Sequence, residues 1–134
     1  MFSPDTLILV VDDMRTMRKV VQKSCTDLGF KNYLEAGDGA EAWQVLNDNA
    51  GKVGLVISDW NMPNCTGLDF LKRVRADSRF KKLPFVMLTA ESEKTQIMAA
   101  IQAGVDTYVI KPFTPAILQQ KLTQVWTKVS AAAA

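Results

Sequence analysis

Several residues with chemical potential directly follow apolar runs. Asp12 and Asp13 follow the run 7–11, Asp59 follows 54–58, Thr89 follows 84–88 and Lys111 follows 107–110. Carboxylates grouped without imidazole or thiolate favour a hard cation, Mg2+ above all. A carboxylate can also act as a nucleophile and take a phosphoryl group as an aspartyl-phosphate. Asp59 stands alone at the end of its run and is the candidate acceptor, with Asp12 and Asp13 as metal ligands. Thr89 offers a hydroxyl, and Lys111 a cation, to a phosphoryl group held between them. Phosphoryl transfer needs mainly positioning and charge neutralisation, and this set supplies both. A single Asp, Thr or Lys after a strand is ordinarily a turn or cap residue. Recurrence at four run ends is what points to one site. The chain has no histidine, which excludes His-ligated metals, Ser-His-Asp triads, Cys-His pairs and internal phosphohistidine.

Such residues converge only if the runs lie side by side. The five apolar segments 7–11, 33–36, 54–58, 84–88 and 107–110 are short, and most are rich in β-branched residues and lack alternation, as strands buried on both faces do. The run 33–36 is the poorest and is expected nearest an edge. Segments of helical length separate them, at 15–28, 40–47, 68–75, 91–103 and 115–129. The last carries Leu118, Leu122, Val125, Trp126 and Val129, a 3.6-residue stripe. Thr114-Pro115 reads as an N-cap with proline at the first helical position, and Gly29 and Gly104 sit where C-terminal cap glycines are expected. Alternating strands and helices imply an α/β fold, a doubly wound five-stranded parallel sheet flanked by five helices, flavodoxin-like, with strand order 2-1-3-4-5. Ligands bind such sheets beyond the carboxyl ends of the strands, at the switch in strand order. That is where Asp12, Asp13 and Asp59 would meet.

A chain of 134 residues is expected to form a single domain, 1–134, with its core at about 7–129. Sixteen basic against fourteen acidic residues give a net charge of +2, too weak a bias to argue for nucleic acid. The basic run Lys72, Arg73, Arg75, Arg79, Lys81 and Lys82 has only Phe80 among it and is expected to be a solvated face. No signal-peptide pattern or membrane-length apolar stretch is present, and Cys25 and Cys65 form no metal or C-x-x-C pattern. A cytoplasmic protein is expected. Cys25 reads as a small core residue and Cys65 as an ordinary solvent-facing one. The stretch Gly37-Asp38-Gly39-Ala40-Glu41-Ala42 fits G-x-G-x-x-A, but Asp38 and Glu41 would face a pyrophosphate, so it reads as a glycine-rich turn.

The set Val11-Asp12-Asp13, Ser58-Asp59-Trp60-Asn61-Met62-Pro63, Leu88-Thr89-Ala90-Glu91, Tyr108 and Lys111-Pro112-Phe113 resembles the receiver domain of two-component response regulators. Within that family, Asp59-Trp60-Asn61-Met62-Pro63 resembles the chemotaxis members in particular. The resemblance implies Asp59 as phosphoacceptor, with Asp12, Asp13, Asp59 and the main-chain carbonyl of Asn61 around Mg2+. It implies that Thr89 and Lys111 hold the phosphoryl group, that Lys111–Pro112 is a cis peptide, and that Asn61 and Glu91 tune dephosphorylation. Tyr108 would be the switch aromatic, with an output surface that includes Ile97, Ile101 and Lys121. The implied partners are a histidine kinase as donor, the flagellar motor switch as target and a phosphatase, with the chain a monomer and a signalling protein rather than an enzyme. Met14 and Cys65-Thr66 depart from the pattern, although Thr66 can still cap the following helix. The alternatives are a receiver that serves as phosphate sink or shuttle in another pathway, and an aspartate-nucleophile phosphatase. Phosphatases of that class usually carry D-x-D on the first strand, whereas Asp12 and Asp13 are adjacent.

Overall fold

The computed structural model describes residues 2–90 and 94–133. Its elements alternate as β1 (Leu7–Val11), α1 (Arg15–Asp27), β2 (Asn32–Ala36), α2 (Gly39–Asp48), β3 (Val53–Asp59), α3 (Gly67–Ala76), β4 (Phe85–Ala90), α4 (Lys94–Gln102), β5 (Thr107–Lys111) and α5 (Pro115–Ala133). The strands form one parallel sheet in the order β2-β1-β3-β4-β5, as expected.

Alternation along each strand sends successive side chains to two separate cores. Leu9, Val11, Val56, Phe85 and Met87 pack with Ala42, Leu46, Phe70, Leu71, Val74 and Ala100, so α2, α3 and α4 cover one face. Ile8, Val10, Leu55, Ile57, Val86, Leu88 and Val109 pack with Val21, Cys25, Leu118, Leu122 and Val125, so α1 and α5 cover the other. Strands covered on both sides have no polar face, which explains the unbroken apolar runs. The edge strand β2 buries only Ala36 fully.

Local signals hold at the expected helix ends. Gly29 and Gly104 take φ of +103° and +93°. Thr66 Oγ1 accepts from Asp69 N at 3.2 Å, and Thr114 Oγ1 from Ile117 N at 3.2 Å. On α1 the buried side is Val21, Ser24 and Cys25, while Val20 is 47% exposed. Two expectations change. Trp126 is 37% exposed and meets Phe2 edge-on at 5.2 Å rather than entering the core. Arg75 leaves the solvated basic run. Its guanidinium donates to the carbonyls of Gly104 and Leu83, both at 2.8 Å, and to Asp106 Oδ2 at 3.0 Å. Asp106 also accepts from Phe85 N at 2.8 Å, so this pair ties α3 to the start of β4 and the turn before β5.

Candidate functional site

The parallel register brings the carboxyl ends of β1, β3, β4 and β5 together. Asp12 is the first residue beyond β1; its N–H still donates to Ala36 O of β2 at 3.1 Å. Its side chain is 1% exposed and turns inward, with Oδ1 accepting from Met14 N at 2.9 Å. Oδ2 is buried without a hydrogen-bond partner, 3.6 Å from Lys111 Nζ. Burial pushes the Asp12 carboxyl above its ordinary range, and the negative charge of Asp59 adds to this, against the opposing pull of Met14 N–H and Lys111.

Asp59 ends β3, is 8% exposed and accepts from Lys111 Nζ at 2.7 Å through Oδ1. The chain then folds tightly back. Gly67 N donates to Trp60 O at 3.0 Å, and a Cβ on Gly67 would collide with the Asp59 carbonyl oxygen. Only glycine lets α3 start against the acidic strand end. Asp13 is exposed at the mouth of the site. Ligand oxygens of Asp12, Asp13 and Asp59 can all lie within 4.8 Å of one another. Three carboxylates at this spacing repel, and Lys111 offsets them in part. An all-oxygen donor set with one orphaned buried oxygen fits a small hard cation that retains water ligands.

Lys111 ends β5 and is joined to Pro112 by a cis peptide bond. Thr89 is the penultimate residue of β4 rather than its last, 1% exposed, and its hydroxyl has no hydrogen-bond partner. Tyr108 pairs with Met87 and packs on the same core, so it lies on the face of Thr89, two residues closer to the start of the strand. Lys121 Nζ sits 5.0 Å over the Tyr108 ring. Ile97 is half-buried on α4 and Ile101 is 53% exposed. Asn61 is exposed, with its Oδ1 3.4 Å from Gln96 Nε2 of α4. Glu91 lies outside the described residues.

The glycine-rich turn before α2 is a helix cap and not a phosphate cradle. Asp38 Oδ1 accepts from Glu41 N at 2.8 Å, which holds its carboxyl below the ordinary range. Gly39 is required because Cys65 fills the space where a side chain would go, with Sγ 2.5 Å from the ideal Cβ position. Cys65 is therefore half-buried against this turn rather than simply solvent-facing. Residues missed from sequence are Arg18, whose Nη1 donates to the Asp12 carbonyl at 2.7 Å, and the Arg75–Asp106 pair. Neither has a sequence signal, because each partner is remote or is a main-chain atom.

Residues 8–123 match the family description "Response regulator receiver domain". The chain belongs to the response regulator receiver family. Among proteins similar to this receiver, Chemotaxis protein CheY1 of Helicobacter pylori is 48% identical over 115 residues, 86% of this chain and 92% of that protein. Chemotaxis protein CheY of Pseudomonas aeruginosa is 46% identical over 123 residues, 92% of this chain and 98% of that protein. The solved structure of chemotaxis response regulator CheY4 of Vibrio cholerae has a TM-score of 0.80 at 33% identity, covering 90% of this chain and 98% of that one. This is a receiver of the CheY type, and receivers bind Mg2+ at an acidic pocket of the kind formed by Asp12, Asp13 and Asp59. Among the described residues, no helix is long and apolar enough to cross a membrane.

Proposed function

We propose that the chain acts as a single receiver unit, 1–134, in the cytoplasm, accepting a phosphoryl group on Asp59 from a histidine kinase. The observation that carries this reading is the convergence of Asp12, Asp13 and Asp59 on one point, with Lys111 Nζ 2.7 Å from Asp59 Oδ1. Asp12, Asp13, Asp59 and the main-chain carbonyl of Asn61 hold Mg2+. When bound, the ion neutralises charge on the transferring phosphoryl oxygens. An Asp59 carboxylate oxygen attacks phosphorus, the P–N bond of the donor phosphohistidine breaks, and the imidazole nitrogen leaves with the bonding pair. Lys111 and the unpartnered Thr89 hydroxyl take phosphoryl oxygens. Asn61 and Glu91 tune hydrolysis of the aspartyl-phosphate. The protein promotes its own phosphorylation and dephosphorylation and is a signalling protein, not a turnover enzyme.

Phosphorylation draws Thr89 toward the phosphoryl group, and Tyr108 moves into the space vacated. The surface of α4, β5 and α5, with Ile97, Ile101, Tyr108 and Lys121, then binds its target. The relatives are named as chemotaxis proteins, which supports a chemotaxis role. The target in this reading is the flagellar motor switch, and a phosphatase is a further partner. A small-molecule phosphodonor with Mg2+ should add one phosphate by intact mass to the wild type and none to Asp59→Asn. Equal labelling of Asp59→Asn would move the acceptor elsewhere. Steady multiple turnover of a phosphomonoester would instead mark a phosphatase. Beryllofluoride should increase retention of the motor-switch protein in pull-downs; no increase would favour a sink or shuttle.

A further inference from the structure

We infer that Arg18 is a positioning residue of the acidic site, holding the main chain of Asp12 so that its buried carboxylate meets the cation. This inference rests on the Mg2+ site proposed above. Asp12 occupies an awkward place in the backbone. Its N–H completes the ladder to Ala36 O at 3.1 Å, but the next residues, Asp13 and Met14, already turn into α1. The Asp12 carbonyl thus leaves the sheet without a strand partner. Arg18, one turn into α1, reaches back and satisfies it, Nη1 to O at 2.7 Å. The guanidinium is anchored in turn, because its Nε donates to Glu35 Oε1 at 2.9 Å. Lys19 Nζ lies 3.8 Å from the other Glu35 oxygen, and the Arg18 side chain is 18% exposed.

The contacts form a chain from the edge strand to the site. Glu35 on β2 orients Arg18, Arg18 holds the Asp12 carbonyl, and the Asp12 side chain is set by its Oδ1 bond to Met14 N at 2.9 Å. Oδ2 then has one orientation, buried and free of hydrogen bonds, toward the site. A planar guanidinium can bridge a carbonyl and a carboxylate at fixed separation; an ammonium on a flexible stem cannot hold both with the same geometry. N-cap chemistry does not replace it, since Met14 at the α1 N-cap makes no side-chain cap bond.

Loss of outer partners of metal ligands typically reduces metal affinity by about 10–100-fold. Arg18→Ala should therefore raise the Mg2+ dissociation constant about tenfold, read from Trp60 fluorescence at a temperature where circular dichroism shows the fold intact. In metal-free protein the Met14 amide, which bonds Asp12 Oδ1, should exchange its hydrogen faster. Arg18→Lys should recover part of the affinity. Glu35→Ala should weaken binding in the wild-type background and have little further effect in Arg18→Ala, because Glu35 acts through Arg18. If Arg18→Ala and Arg18→Lys both bind Mg2+ within about twofold of a wild type that itself binds, the positioning role is wrong while the acidic site stands. A wild type with no saturable Mg2+ response overturns the site, and this inference with it.

Discussion

Asp12 and Asp13 are neighbours in the chain with opposite environments. Asp12 is buried and its carboxyl is raised by desolvation; Asp13 is exposed. A buried ligand supplies direction and a solvated one supplies charge at little desolvation cost. Asp13→Ala should leave stability nearly unchanged but lower Mg2+ affinity at least tenfold, the order set by one lost charged ligand. Titration followed by Trp60 fluorescence checks this. Elsewhere, burial alone pushes the Cys25 thiol from an ordinary 9.0 up to about 12. The folded state therefore binds the proton more tightly than the unfolded chain. Stability should fall as pH rises between about 9 and about 12, and Tyr33, also raised by burial, adds to the same slope. Urea denaturation over this range should show the fall, with a shallower slope in Cys25→Ala.

At the scale of elements, the start of α3 is built onto the end of β3. Thr66 caps the helix, and Gly67 allows its first turn to press against the Asp59 carbonyl. A methyl group at Gly67 would also come 2.9 Å from Met87 Sδ. Backbone on one side and a filled core on the other leave no direction for relaxation. Gly67→Ala should cost about 3 kcal/mol in urea denaturation, the upper range for overpacking, and should weaken Mg2+ binding because Asp59 must shift. A variant as stable as the wild type would show that β3 and α3 can separate without penalty.

For the molecule as a whole, the sheet holds two regions with different tasks. Its carboxyl end gathers two buried groups without partners, Asp12 Oδ2 and the Thr89 hydroxyl, beside the crowded carboxylates of Asp12, Asp13 and Asp59. Its opposite end is locked by Arg75 and Asp106, whose side chains are 16% and 13% exposed and bridge α3, β4 and the turn before β5. A rigid base leaves rearrangement to the carboxyl end, where Thr89 lies on the same sheet face as Tyr108, which is two positions nearer the base. A hydrogen bond to a charged phosphoryl oxygen is worth about 1.5–3 kcal/mol, and about 1.4 kcal/mol is a factor of ten. Thr89→Ala should still bind beryllofluoride but lose at least about tenfold of the resulting gain in partner affinity. Undiminished gain in that variant would place the coupling in other residues.

Strand and helix alternation and the caps at Gly29, Thr66, Gly104 and Thr114 were legible in the order of residues, whereas the Asp38 cap of α2 was not. They rest on interactions within a few positions of each residue: side-chain periodicity, N-cap hydroxyls and glycines at positive φ. The parallel order followed because right-handed crossovers leave few arrangements, and that order brings Asp12 to Asp59. The Cys65 packing on Gly39, the Gly67 contact with Asp59, the Arg18 bond to Asp12 and the Arg75–Asp106 pair were not legible. Even the basic run misled at Arg75, because charge on a helix face says nothing about which carbonyls a neighbouring loop leaves open. Such contacts join main-chain atoms or residues far apart in the chain, and their distances are set only when the helices have settled on the sheet. Sequence alone thus determined which groups reach the site; tertiary packing decided which of them are buried, unpartnered and held in place.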